Sequence, residues 1–243
     1  MQNQYDPRTT SRIDPAISVG VPSATRDAGL RSYMLKVYNY MASGVLLTGI
    51  VALLFASSGM AAQVMATPLR WLIILAPLGF VFAMSFGVTR MKTATLQTLF
   101  WGFAVAMGLS MSTIFLVYTG TSIAQTFFAV SAAFLGLSLY GYTTKKDLSG
   151  FGTFLIMGVV GLLVAMVINI FLQSTAMAYA ISGIGVLLFA GLTVYDTQKI
   201  KSMYAHIAGT DKMGKAAIMS ALTLYLDFIN MFQFLLFFMG NRE

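Results

Sequence analysis

Seven long runs of apolar residues alternate with shorter polar segments along the chain. Each run is close to or above the roughly 20 residues that a helix needs to cross the hydrocarbon core of a bilayer. A helix also satisfies its own backbone hydrogen bonds in lipid, which an isolated strand cannot do. The runs are Val37–Ala56, Trp71–Thr89, Leu96–Tyr118, Ile123–Tyr142, Phe151–Leu172, Ile181–Gln198 and Ala217–Met239. The pattern predicts an all-α polytopic membrane protein, a bundle of seven transmembrane helices.

The segment before the first run has a different character. Residues 1–31 are largely polar and contain Pro7, Pro15 and Pro22. This composition is typical of a flexible terminus, and it lacks the successive basic, apolar and small-residue regions of a cleaved signal peptide. We therefore expect a flexible N-terminal tail over residues 1–31 and a seven-helix transmembrane domain over residues 32–243.

Charged residues are concentrated between the runs, where they set the expected orientation. Only 9% of the chain is charged and 58% is hydrophobic, whereas soluble domains average roughly 25% charged residues. Lys and Arg occur in the tail and before the third, fifth and seventh runs, while the opposite side has only Arg70 and Arg242. The positive-inside rule then predicts a cytoplasmic N-terminus in a multi-pass protein of the inner (plasma) membrane. The same distribution excludes nucleic acid as the reason for the formal charge of +7 and leaves the lipid bilayer as the main partner.

Two acids interrupt the last two runs, Asp196 near the end of the sixth and Asp227 within the seventh. A charge at bilayer depth costs about 2.5–3.5 kcal/mol on insertion scales, so an intramembrane acid is a functional candidate by default. Polar residues accompany both acids at helical spacing, namely Thr193 before Asp196, and Ser220, Thr223 and Asn230 around Asp227. These stripes are expected to face the bundle interior, and the four polar residues are candidates for lining a pore.

The sequence leaves open whether the two acids meet, which requires the sixth helix to continue through Ile200. If they meet, two carboxyl groups in a dry site would share a proton and titrate as a pair. A calcium ion could instead bridge Asp196 and Asp227, but calcium prefers about six to eight oxygens, so such a site would be weak and transient. The structural alternative is that each acid caps a helix or bonds to Tyr195 or Tyr225.

Three segments resemble the Bax inhibitor-1 family, bacterial branch, in the order in which that family carries them. They are KKDLS at Lys145–Ser149, YDTQKIK at Tyr195–Lys201 and LYLDFIN at Leu224–Asn230. The last is fairly specific, and the other two support it. The resemblance covers about residues 31–243 and includes the number of predicted spans.

The resemblance implies a seven-helix protein that lets calcium leak across a membrane in a pH-dependent way. It also implies that two aspartates form a hydrogen-bonded pair that acts as pH sensor and gate, and it maps this pair onto Asp196 and Asp227. A latching arginine at the cytoplasmic end of the second helix maps onto Arg90. The leading hypothesis is therefore a pH-sensitive calcium (cation) leak channel gated by a proton-sharing aspartate pair.

Other classes of protein fit the residues less well. Cysteine is absent and the single histidine, His206, lies outside the runs, so we expect neither a thiolate site nor a serine–histidine protease within the membrane. We expect no enzymatic step and no cofactor. Calcium ions are the expected permeant species, and protons are the expected signal. The alternative is a membrane interaction protein that modulates membrane-protein quality control or stress survival through a membrane-protein partner. Proton-coupled secondary transport is a third option, which would move a further solute.

Overall fold

The computed structural model describes residues 23–242, with side chains from Asp27 onward. This part of the chain forms nine helices: α1 (Ser23–Ser57), α2 (Met60–Met65), α3 (Leu69–Gly87), α4 (Thr93–Met111), α5 (Ile114–Val117), α6 (Gly120–Thr143), α7 (Ser149–Leu172), α8 (Thr175–Ile207) and α9 (Met213–Met239). Seven helical segments within it are long and apolar enough to cross a membrane, with α4 and α5 together forming one of them. The prediction of an all-α protein with seven membrane-spanning helices is confirmed.

The first helix begins earlier than the boundary predicted at residue 31. Ser23–Arg31 form the first turns of α1, whereas residues 1–22 of the predicted tail lie outside the described residues. These turns are polar, so the apolar pattern does not reveal them. They nevertheless adjoin α8, since a Cβ atom on Gly29 would overlap the hydroxyl of Tyr204, and the rings of Tyr33 and Tyr204 are 5.5 Å apart.

The helices that carry the two acids are also longer than their apolar runs. α8 extends from Thr175 through Ile207, and Ile200 and Tyr204 on its extension are buried in the core. α9 begins at Met213, so residues 208–212 alone connect the two helices. The continuation of α8 past Ile200 meets the condition under which the two acids can lie side by side.

The central helix of the bundle is α9, which packs against α1, α4, α6 and α8, while α3 packs on α4 and α7 on α8 at the periphery. Tyr225 of α9 is fully buried. Its hydroxyl lies 2.7 Å from Oγ1 of Thr48 on α1, and Thr48 donates in turn to the carbonyl of Ala104 on α4 at 2.9 Å. Because no hydrophobic force pairs helices in lipid, such bonds and close packing hold the bundle together.

Two glycines allow helices to approach closely. A Cβ atom on Gly108 of α4 would lie 2.7 Å from Cβ of Val51 on α1. A Cβ atom on Gly141 of α6 would overlap the carbonyl oxygen of Val194 on α8. Gly136, also on α6, has no neighbouring atom within 4 Å of that position. Small residues therefore bring α1 to α4 and α6 to α8, as is typical of helix contacts in membranes.

The two ends of the bundle differ. The turn after α3, the α6–α7 loop and the α8–α9 loop carry Lys and Arg at one end, which we call the basic end. At the other end, residues 241–242 pair with the start of α6 and the residues before it. Arg242 and Tyr118 form an antiparallel bridge, Thr119 donates its amide to the carbonyl of Asn241 at 3.1 Å, and Asn241 donates its amide to Oγ of Ser122 at 3.0 Å. We call this pairing the C-terminal strap.

Candidate functional site

The structure brings the two acids together. Asp196 and Asp227 lie about 16 Å and 21 Å from the ends of α8 and α9 that the 208–212 loop joins, at 1.5 Å per residue. Both are buried, with 8% and 4% of their surface exposed. Their carboxyl groups lie within hydrogen-bonding range of each other. The extension of α8 past Ile200 permits this meeting, and the register of α8 against α9 produces it.

The pair is short of one hydrogen-bond donor. Oδ2 of Asp227 is buried and has no hydrogen-bond partner among the described residues. Ionised carboxylates only accept hydrogen bonds, so two of them cannot bond to each other, whereas one added proton lets one donate. An unpaired charge is costly to bury. The arrangement therefore favours a proton held between Asp196 and Asp227.

Few other charges act on the pair. Apart from the two acids themselves, the charged residue nearest to them along α8 and α9 is Lys199, three residues after Asp196. Lys199 is exposed, one turn nearer the basic end, with its ammonium 5.8 Å from the ring centroid of Tyr195. Arg90 is exposed in the turn after α3 and makes no ion pair with either acid in this conformation, as far as the described residues show. Its role as a latch stays a prediction.

The four candidate pore-lining residues lie on the expected helices with their polar groups engaged elsewhere. Thr193 and Ser220 are buried, and Thr223 and Asn230 are half-buried. Their bonds run from Thr193 to the carbonyl of Phe189 (2.8 Å), from Thr223 to that of Met219 (3.2 Å), from Asn230 to that of Leu226 (2.8 Å), and between Ser220 and the hydroxyl of Tyr33 (3.2 Å). Among the described side chains, none of the four bonds to the aspartates here. Pore lining stays a prediction.

The two acids neither cap a helix nor bond to a neighbouring tyrosine in the described part of the chain. Asp196 and Asp227 lie well inside α8 and α9, so neither caps a helix end. Tyr225 bonds to Thr48, and the ring of Tyr195 packs where a Cβ atom on Gly152 would lie. Neither tyrosine hydrogen-bonds to an aspartate in the part of the chain that the structure describes.

Sequence reasoning misses a chain of hydroxyl groups beside the pair. The hydroxyl of Tyr38 lies 2.5 Å from Oγ of Ser138, which lies 3.0 Å from Oγ1 of Thr197. Thr197 is fully buried and follows Asp196 directly. The chain links α1, α6 and α8 at the level of Asp196 along α8. A threonine adjoining an intramembrane acid is the one sequence signal that could have indicated it.

Two of the family-like segments contact each other at the basic end. Gln198 of YDTQKIK accepts a hydrogen bond from the amide of Leu148 at 3.0 Å and donates to the carbonyl of Lys146 at 2.7 Å. Lys201 donates to the carbonyl of Tyr142 at 2.6 Å, with its ammonium 5.0 Å from that ring's centroid. α8 thereby holds the KKDLS loop in place, two residues beyond Asp196.

Replacing Gln198 by alanine is expected to speed hydrogen exchange at Leu148 and in the loop around it by about thirtyfold. Two side-chain hydrogen bonds of roughly 1 kcal/mol each are lost, and 1.4 kcal/mol corresponds to a factor of about ten. Exchange measured by mass spectrometry on a peptide covering residues 144–149 checks this. Gln125→Ala, at an exposed position on α6 without a side-chain bond among the described residues, serves as control. Equal exchange in the two variants would contradict the prediction.

The site offers few oxygens to a metal ion. In residues 23–242, no group of three or more His, Cys, Asp or Glu side chains could hold one. Asp196 and Asp227 together present four carboxylate oxygens, and calcium prefers about six to eight. The residues therefore fit at most a brief contact with calcium in transit, and that contact stays a prediction.

Comparison with known proteins places this arrangement in context. Residues 30–243 match the family model Bax1-I, described as inhibitor of apoptosis-promoting Bax1. An uncharacterized protein of Rickettsia prowazekii is 50% identical over 221 residues, which cover 90% of this chain and 93% of the relative. A Caulobacter vibrioides protein is 46% identical over 231 residues (89% and 92% covered). The Escherichia coli K12 inner membrane protein YbhL is 44% identical over 220 residues (89% and 94% covered). The match to the family model includes both aspartates.

Proposed function

Since the chain belongs to the Bax inhibitor-1 family and has seven membrane-spanning helices, we propose that Asp196 and Asp227 gate a passive, pH-dependent leak of calcium ions. The observation that carries the proposal is the pairing of two buried carboxyl groups in which one oxygen, Oδ2 of Asp227, has no hydrogen-bond partner among the described residues. A proton between the two groups holds α8 and α9 in the arrangement seen here.

Loss of that proton destabilises the packing of α8 against α9 at the aspartate pair. Two ionised carboxylates at this distance repel each other, and burial leaves little water to screen them. The bundle then shifts to an arrangement in which the acids separate or are hydrated. A local charge change thus biases an element with two states, which is how switches of this kind work.

Calcium is the cargo of this pathway and not a bound cofactor. The carboxylates of Asp196 and Asp227 attract a divalent cation once they are ionised, and their small number of oxygens lets it leave. The side chains of Thr193, Ser220, Thr223 and Asn230 supply further oxygens if their helices turn. The proposal involves no enzymatic step, because conduction needs only entry, brief binding and exit.

The proposal also includes an orientation. The loops with Lys and Arg lie at one end of the bundle, and the positive-inside rule assigns that end and the N-terminus to the cytoplasm. Protons from the cytoplasm would then reach the two acids from the basic end of the bundle. The Escherichia coli relative YbhL is an inner membrane protein, which supports the same membrane for this chain.

Calcium flux into liposomes that contain the purified protein tests the proposal. We expect flux above that of protein-free liposomes, with a rate that changes with pH by at most about tenfold per unit, the limit for a gate with one proton. A series of external pH values with a calcium dye inside the vesicles gives the profile. No calcium flux at any pH would contradict the pathway, and flux independent of pH would contradict the gate.

A further inference from the structure

One face of α1 is left uncovered by other helices in the half nearest the basic end. Residues on this face recur at helical spacing and, together with Trp101 of α4, line an open cleft of about 690 Å³. The polar and aromatic residues of the cleft are Arg31, Ser32, Lys36, Asn39, Tyr40, Ser43 and Trp101. The ring of Tyr40 lies 6.2 Å from that of Trp101 across the cleft. Because the cleft extends along the side of the bundle into the first apolar run, we expect this part of it to face lipid.

The cleft carries positive charge. Arg31 and Lys36 are exposed, and no acidic residue is among those that line the cleft. Asp27, one turn before Arg31, lines a separate cleft together with Lys201. An anionic group would therefore be attracted to Arg31 and Lys36.

The order of the lining residues along α1 follows the layers of one bilayer leaflet. Arg31 is outermost, Lys36 stands just before the apolar run, and Asn39 and Ser43 lie within that run. The distance from Arg31 to Ser43 is about 18 Å at 1.5 Å per residue. A phospholipid likewise places its phosphate outermost, its ester carbonyls below the phosphate and its acyl chains deepest.

Basic residues at helix ends are common in membrane proteins and alone indicate only orientation. Asn39 and Ser43 are different, because both are exposed within the span. Their side chains make no hydrogen bond among the described residues, and an unpaired polar group in hydrocarbon is costly. A lipid ester carbonyl is an acceptor at the right depth for them.

We propose that this cleft binds an anionic phospholipid of the leaflet at the basic end. The phosphate contacts Arg31 and Lys36, the ester carbonyls accept hydrogen bonds from Asn39 and Ser43, and the acyl chains lie against Tyr40 and Trp101. This site is separate from the aspartate pair, and the proposal does not depend on calcium conduction.

Fluorescence of Trp101 tests the proposal directly. The chain has two tryptophans, so Trp71→Phe leaves Trp101 as the single reporter. This protein is placed in phosphatidylcholine vesicles that contain either brominated phosphatidylglycerol or brominated phosphatidylcholine, whose bromine quenches tryptophan on contact. We expect the anionic lipid to bind at least about fivefold more tightly than the zwitterionic one, since each basic residue near a membrane surface contributes appreciably to such attraction.

Charge variants identify the site. In the Trp71→Phe background, the double substitution Arg31→Gln and Lys36→Gln should bring the ratio of anionic to zwitterionic lipid affinity close to one. Lys145→Gln with Lys146→Gln removes the same charge from the exposed α6–α7 loop and should leave the preference intact. Equal quenching by brominated phosphatidylcholine in all proteins verifies that Trp101 keeps its lipid contact and that the bundle is folded.

The outcomes against the proposal are distinct. The absence of a preference in the starting protein overturns it, as does a preference that survives the loss of Arg31 and Lys36. If the variant of Lys145 and Lys146 loses as much of the preference for anionic lipid as the variant of Arg31 and Lys36, the attraction depends on total charge, and the proposed site is overturned too. Excess soluble glycerol phosphate should not relieve quenching, and relief would show a site for free anions instead of a lipid.

Discussion

Replacing either Asp196 or Asp227 by asparagine is expected to make calcium flux nearly independent of pH. The rate should stay close to the one that the unsubstituted protein shows at low pH. An asparagine amide has nearly the same size as a carboxyl group, is neutral and can donate to the remaining carboxylate. Each variant therefore resembles the state in which the pair holds one proton, whatever the pH. Flux into liposomes over the same pH series measures the effect.

Asp147 provides the matched control for the two aspartates. It is exposed in the α6–α7 loop, and its carboxylate accepts hydrogen bonds from the hydroxyl and the amide of Ser149 at 2.7 and 2.9 Å. These bonds hold the pKa of Asp147 below its ordinary value. At any pH above the ordinary pKa of an aspartate, Asp147 is therefore ionised, and its charge does not change near neutral pH. We expect Asp147→Asn to leave the pH profile of calcium flux unshifted. If Asp196→Asn and Asp227→Asn also kept an unshifted profile, the paired gate would be wrong.

Gly141→Ala is expected to destabilise the bundle by about 1–3 kcal/mol, the usual cost of adding atoms to a packed contact. Its Cβ atom would overlap the carbonyl oxygen of Val194 and lie 3.1 Å from Cβ of Thr197. A backbone oxygen cannot move alone, so α6 and α8 must separate. Since this segment of α8 also carries Asp196, the pH profile of calcium flux should shift with the stability.

Gly136→Ala isolates the effect of that contact. The change is the same, on the same helix, but a Cβ atom on Gly136 meets no atom within 4 Å. We expect it to leave stability unchanged or slightly higher, because alanine favours a helix over glycine. Unfolding of both variants by sodium dodecyl sulfate, in mixed micelles and followed by circular dichroism, gives the comparison. Similar unfolding curves for the two variants would show that α6 and α8 are not closely packed at Gly141.

The sequence predicts the spans and the two acids, because apolar length and intramembrane charge are both visible along the chain. It does not predict where helices end. Ser23–Arg31 is mostly polar, and the end of α8 mixes lysines with apolar residues, so neither continues an apolar run; the two segments adjoin each other at Gly29 and Tyr204. A search for uniformly apolar runs therefore stops short of both ends, although Ile200, Met203, Tyr204 and Ile207 recur at the spacing of an amphipathic helix.

The contacts between helices are a second part that the sequence does not reveal. In a run that is apolar on all sides, periodicity does not separate the buried face from the lipid face. The hydroxyl chain of Tyr38, Ser138 and Thr197 therefore becomes visible only when α1, α6 and α8 are assembled. The meeting of Asp196 with Asp227 had a sequence argument, since both acids needed a partner away from lipid, but the register of α8 against α9 decided it.

The C-terminal strap has a practical consequence for experiments with reporter fusions. A reporter joined next to Arg242 would leave from backbone that is already paired with Tyr118 and Thr119. The reporter would compete with that pairing, so a weak signal could arise from a strained junction and be misread as the wrong side of the membrane. A Gly/Ser linker of about ten residues, which spans roughly 17 Å on average, lets the reporter fold clear of the bundle while residues 241–242 stay in place.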